Sequence, residues 1–224
     1  MDQLSPLIIA LFILITLYSI YQFFKASGNS KNALLILFTI LLVQGILGFT
    51  GFYLNFNTIP PRFVALLGPS LLIIILLFST KKGRQFLDTL NLQKLTILHT
   101  LRIPVEIVLY AIFSAGLIPE TMTFEGANFD MLSGISAPII AYLVFKTKAL
   151  SMKALLIWNF VTLFLLINIL TIAILALPTP IQQVGLDQPN IGVGYFPFVW
   201  LPAIIVPLVM LSHLASIRQL LKAK

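Results

Sequence analysis

Read for apolar and polar positions, the chain alternates long apolar runs with short polar breaks. The runs fall at about 5–24, 33–54, 63–80, 95–118, 129–145, 154–177 and 194–217. A helix rises 1.5 Å per residue and needs roughly 20 apolar residues to cross a hydrocarbon core of about 30 Å. The pattern therefore predicts an all-α integral membrane protein with seven transmembrane helices, in one polytopic domain covering 1–224. The fifth run is the shortest and opens with MLSGISAP, which predicts either an irregular start or partial shielding by its neighbours. The first run follows MDQLSP, an acidic lead-in without a small-residue cleavage site behind it. It reads as a retained helix and not as a signal peptide.

Composition strengthens this picture. The chain is 59% hydrophobic and 9% charged, with a mean hydropathy of +1.03. A soluble domain carries roughly a quarter charged residues, so a water-soluble globule is excluded. The net charge of +7 is explained by where the basic residues sit. Lys25, Lys31, Lys81, Lys82, Arg84, Lys94, Lys146, Lys148, Lys153, Arg218, Lys222 and Lys224 all fall in alternate breaks, on one predicted side. Basic residues collect on the cytoplasmic side, so the N-terminus is expected outside, the C-terminus inside, and the protein in the inner (plasma) membrane. Because these residues are spread over several segments, no nucleic-acid surface is indicated. With no cysteine there is neither a disulfide framework nor a thiolate site.

Three short matches recur in the same order. SPLIIALF (5–12) pairs with SAPIIAYLVF (136–145), KNALLI (31–36) with MKALLI (152–157), and RFVALLGP (62–69) with PFVWLPAI (197–204). They suggest repeat halves 1–80 and 129–224 joined by a linker helix at 95–118. That 3+1+3 plan of parallel repeats resembles sugar transporters of the SWEET type, in topology alone. Opsins share the helix count and the outward N-terminus. A retinal Schiff base needs a lysine in the middle of the last helix, however, and the first lysine there, Lys222, lies at its end.

The stretch HTLRIPVE (99–106) places ionisable residues inside the fourth span. At 100° per residue, Arg102 lies about 60° from His99, and Glu106 and Tyr110 about 20° to either side of it, so all four share one face. Glu106 lies about 17 Å along the helix from Leu95, near the bilayer midplane. A charge there costs about 2.5–3.5 kcal/mol on insertion scales. The i,i+4 spacing of Arg102 and Glu106 predicts a mutual ion pair that offsets part of this cost. Pro104 between them predicts a kink and a freed carbonyl. One reading makes the stripe a self-neutralising packing device. The other makes Glu106, Arg102, His99 and Tyr110 a ligand-binding or proton-handling site, the default for intramembrane ionisable groups.

Other polar positions divide similarly. His99 and His213 sit at similar depth, which raises a haem or metal; a metal site needs more ligands than two, so no metal and no cofactor is predicted. Gln44, Asn159 and Asn168 read as hydrogen-bonding glue between helices. In the outer breaks, Glu125, Asn128, Asp130 and Asp187 are candidates for a ligand mouth, with Glu125 and Asp130 alternatively capping the fifth helix. The break at 178–196 is long enough to be a lid or binding loop. No GxSxG, HExxH or phosphate-loop motif occurs, which points away from a hydrolase or nucleotide enzyme.

Three functions remain. The first is binding or transport of a small-molecule solute through a bundle cavity lined by the fourth predicted span (95–118), with the lipid bilayer as the other partner. The second is a redox or lipid/quinone-modifying enzyme using His99 and His213. The third is a non-catalytic sensor or assembly subunit.

Overall fold

The computed structural model describes residues 4–56, 58 and 61–222. Among them every regular element is helical, in the order α1 (Pro6–Ala26), α2 (Lys31–Phe49), α3 (Val64–Ser79), α4 (Lys81–Thr89), α5 (Leu92–Leu98), α6 (Arg102–Ser114), α7 (Asp130–Ala141), α8 (Met152–Leu175) and α9 (Val206–Lys222). Short polar side chains start several of these helices. The hydroxyls of Ser5, Ser30, Thr80 and Ser151 and the amide oxygen of Asn91 accept backbone N–H groups of the first turn. Each satisfies a donor that the helix leaves without a partner.

Five helices are long and apolar enough to cross a membrane: α1, α2, Leu92–Ser114, α8 and Leu201–Lys222. The pair α3 and α4, bent by 95° at Thr80, makes a sixth if taken as one span. Large apolar side chains such as Leu14, Leu42, Ile46, Leu72, Ile75 and Phe164 point outward from these helices. An apolar exterior of this extent suits lipid and not water.

Two helices form the centre. The central window of Leu201–Lys222 is 67% buried and that of Leu92–Ser114 61%, against 28–33% for α1, α2 and α8. Helices α5 and α6 lie between α1 on one side and α7 on the other, and α9 packs on α3, α4, α5 and α8. Glycines allow close approach where α2 meets the segment before α9. A Cβ on Gly48 would lie 2.7 Å from Val199, and one on Gly45 3.3 Å from Trp200. Between membrane helices, such packing and hydrogen bonding replace the hydrophobic drive that operates in water.

The prolines follow one logic. Proline cannot donate to the carbonyl four residues earlier, so that oxygen needs another partner. Gln44 of α2 donates to Ala65, the carbonyl left by Pro69, at 3.1 Å. Ser70 of α3 donates to Ala203, the carbonyl left by Pro207, at 2.6 Å. In the HTLRIPVE stretch the irregularity takes the form of a 3₁₀ turn at His99–Leu101, just before Pro104. The fifth run yields only the 12-residue α7, followed by a π turn at Tyr142–Lys146.

A buried polar cluster as candidate functional site

Arg102, Glu106, Asn128, Asp130, Asn159, His99 and His213 are all buried, each less than 7% exposed. They come from α6 and its preceding turn, the start of α7, α8 and α9. The turn of chain between α6 and α7 makes this possible. Glu106 lies eight residues, about 12 Å, back from the end of α6 at Ser114. Asn128 nevertheless reaches it, so the chain after α6 folds back into the bundle before α7 begins. That inward loop is tied at several points. Asn168 donates to the Ala127 carbonyl at 3.0 Å, and Gln188 to those of Phe113 and Ile118 at 2.9 and 2.5 Å. The backbone N–H groups of Ile191 and Gly192 both reach Leu117.

Arg102 Nη1 contacts Asp130 Oδ1 at 2.7 Å and the Thr162 carbonyl at 3.4 Å, and its Nη2 contacts His213 Nε2 at 2.8 Å. A guanidinium only donates, so His213 Nε2 accepts, and its Nδ1 carries the proton given to Asn159 Oδ1 at 2.9 Å. His213 is therefore held as one neutral tautomer. Asn159 passes its own amide hydrogen to the Leu155 carbonyl.

The mutual Arg102–Glu106 pair expected from i,i+4 spacing is not formed. Asp130 takes Arg102 in its place. Glu106 Oε1 accepts from Asn128 Nδ2 at 2.5 Å, and Asn128 Oδ1 accepts the Asp130 N–H at 3.0 Å. The inward loop brings in a carboxylate and an amide, which divide the two charged groups of the helix between them.

Tyr110 is not in the cluster either. It is exposed and stacks on Phe124, with ring centroids 5.2 Å apart. It lies a further 40° or so around α6 beyond Glu106, past the edge of the buried face, and the tighter 3₁₀ turn shifts His99 out of the assumed phase. Asn128 and Asp130, expected at an outer mouth, are interior groups, and Asp130 makes no helix cap. Glu125 and Asp187 remain exposed. Asn159 belongs to the cluster through His213, whereas Gln44 and Asn168 bond only outside it.

His99 stacks face to face on His213, with centroids 3.9 Å apart and planes 16° from parallel, and Trp158 meets it edge-on at 5.4 Å. Two histidines holding one iron must aim nitrogens at a point between them. Face-stacked rings aim theirs sideways, and both nitrogens of His213 are already spent. This arrangement does not fit a shared haem or metal. Among the described residues, no group of three or more His, Asp or Glu is placed to hold a metal ion.

Several buried polar atoms here have no hydrogen-bond partner among the described residues: Glu106 Oε2, Arg102 Nε, both ring nitrogens of His99 and Asn190 Oδ1. Glu106 and Asp130 line a cavity of about 70 Å³ whose other walls are mainly apolar, including Val105, Leu109, Met122 and Leu166. A cavity of this size holds a few waters or a small solute. It shares Phe63 and Ile174 with a groove of about 940 Å³ between α3 and the chain after α8, which is lined by Val64, Leu71, Pro178 and Ile181.

Fold and cluster together define a class: an all-helical membrane protein with a buried ionic and hydrogen-bonded core. Within that class the chain belongs to the family described as a domain of unknown function (DUF8737), whose model matches residues 59–221, more than half of its length. The match covers α3 to α9 and every member of the buried cluster. No curated protein and no solved structure matches the chain.

Proposed function

We propose that this is a seven-pass protein of the inner (plasma) membrane that binds, and in a transport cycle moves, a small solute carrying a hydrogen-bond donor. The site is the cavity beside Glu106. The observation that supports this most directly is that Glu106, whose Oε2 has no hydrogen-bond partner among the described residues, lines a small and mainly apolar cavity. A buried carboxylate oxygen left unsatisfied is costly, and a hydroxyl or amine donor entering the cavity would remove that cost. Arg102 contributes indirectly: it holds Asp130, whose backbone N–H and neighbouring Asn128 orient the other Glu106 oxygen. Phe63 and Ile174 stand between cavity and groove, where the solute would pass.

In this reading α7 and its π turn complete a seventh crossing, and the basic helix ends set the N-terminus outside. Helices α5 and α6 serve as the linker of a 3+1+3 plan, in keeping with their place between α1 and α7. The test is a melting screen of purified protein against small amines and alcohols, from ethylamine to glycerol, with Glu106→Gln beside wild type. At least one probe is expected to stabilise wild type and leave the folded variant unmoved. Equal responses of the two proteins to every probe would remove Glu106 from the site.

A further inference from the structure

A second recess shares no lining residue with the Glu106 cavity. It occupies about 490 Å³ between α2, α3 and α9, and its walls are almost wholly apolar. Its polar residues are concentrated at one end, where Ser30, Asn32, Thr80 and Lys82 meet. Ile40, Ser70 and Ala203 line it farthest along the helices from that polar end. From Ser30 to Ile40 along α2, and from Thr80 back to Ser70 along α3, is ten residues, or about 15 Å. That is half of a hydrocarbon core of about 30 Å, the depth of one leaflet.

The charges at the polar end have one sign. Lys82 lines the recess, Lys31 and Lys81 are its exposed sequence neighbours, and no acidic side chain lines it among the described residues. Asp88, the acid on the adjoining helix α4, is taken by Arg218 and Lys222. Helix α4 itself leaves α3 at 95°, so Lys82 sits where the chain turns off the span.

We infer that this recess seats one acyl chain of an anionic phospholipid, with the phosphate at Lys82 and the chain end at Ser70 and Ala203. Depth selects the occupant: a slot one leaflet long, apolar along its length and cationic at its mouth, matches a lipid standing in the leaflet. The seated chain fills the space between α2 and α3 and holds their separation. It also covers the bend at Thr80, from which α4 departs to meet α9. The proposal is independent of Glu106 and its cavity.

The test reads lipid retained by the purified full-length chain. Protein reconstituted in equal amounts of phosphatidylglycerol and phosphatidylcholine is extracted into detergent and weighed by native mass spectrometry. Wild type is expected to carry one phosphatidylglycerol in preference to phosphatidylcholine. Lys82→Gln, a change at an exposed side chain, is expected to reduce that preference about fivefold, the effect of one basic residue near an anionic surface. Ala33→Trp, which fills the recess from α2, is expected to abolish retention of either lipid. Wild type carrying no lipid, or both lipids equally, overturns the proposal, as does unchanged preference in Lys82→Gln. Because Lys82→Gln leaves the apolar walls intact, the proposal stands or falls even if Ala33→Trp does not fold.

Discussion

Arg102 and Asp130, 28 positions apart, meet at 2.7 Å inside the helix bundle, and each is almost completely shielded from solvent. Their pairing shows how this chain keeps an arginine within an apolar span. The counter-charge comes from the start of α7, carried inward by the loop after α6, and not from the helix that bears the arginine. Breaking a buried pair by removing one partner costs about 3–5 kcal/mol, because the remaining charge stays buried and alone. Asp130→Asn is therefore expected to destabilise the protein by that order. Arg102→Met with Asp130→Leu together should recover much of the loss, as measured by denaturant unfolding in mixed micelles. A double variant as unstable as the sum of the singles would show that the two residues act separately.

Ser70 and Pro207 form a second dependent pair. Pro207 leaves the Ala203 carbonyl without its helical donor, and Ser70 supplies one at 2.6 Å. Ser70→Ala leaves that buried oxygen unsatisfied and should cost about 1–3 kcal/mol. In a Pro207→Ala background the restored N–H takes over, so the same serine substitution should cost markedly less. Thermal melting of the four proteins followed by circular dichroism completes the cycle.

The contact of α2 with the segment before α9 predicts a steric result. A Cβ at Gly48 would stand 2.7 and 2.8 Å from the two methyl carbons of Val199, closer than such atoms pack. Gly48→Ala is expected to cost about 1–3 kcal/mol, the usual penalty of overpacking. Val199→Ala in the same chain should return most of it, and melting temperatures of the single and double variants provide the comparison.

At the basic end, Asp88 is bound by Arg218 at 2.9 Å and Lys222 at 2.6 Å. The hydrogen bond from Arg218, then that from Lys222, holds its carboxyl below the ordinary carboxylate range. A depressed folded-state value means that the stabilisation is present above the unfolded value, near about 3.9, and is lost as pH falls through the folded one. Because these side chains are partly exposed, the gain is at most about 1 kcal/mol. Asp88→Asn should lower the melting temperature slightly at pH 7 and leave it unchanged in strong acid. High salt should narrow the difference at pH 7.

Tyr53 titrates in the opposite direction. It is buried outside the long helices, where its hydroxyl donates to Gln44, and burial pushes its phenol up to about 12. A raised value for an acid means that the neutral form is favoured in the folded chain. Stability should therefore fall as pH rises above the ordinary tyrosine value near about 10. Tyr53→Phe should weaken that alkaline loss, which a melting series from pH 8 to 12 would reveal.

What the sequence determined by itself was what local pattern controls. Apolar run lengths placed a helix in every expected segment, because a run of about 20 apolar residues has few alternatives to a helix in lipid. The stripe at His99, Arg102 and Glu106 was legible as unusual because charge inside an apolar run is costly wherever the helix packs. Partner choice was not legible. Asn128 and Asp130 read as residues of an outer mouth, with Asp130 alternatively a helix cap, since nothing local shows that the loop after α6 folds back by about 12 Å. The i,i+4 rule favoured Glu106 for Arg102 because it counts only neighbours on one helix. The tertiary structure decided otherwise by bringing a carboxylate to the guanidinium from another helix. Depth, partners and cavities arise from contacts between segments far apart in the chain, and such contacts leave no periodic trace in the order of residues.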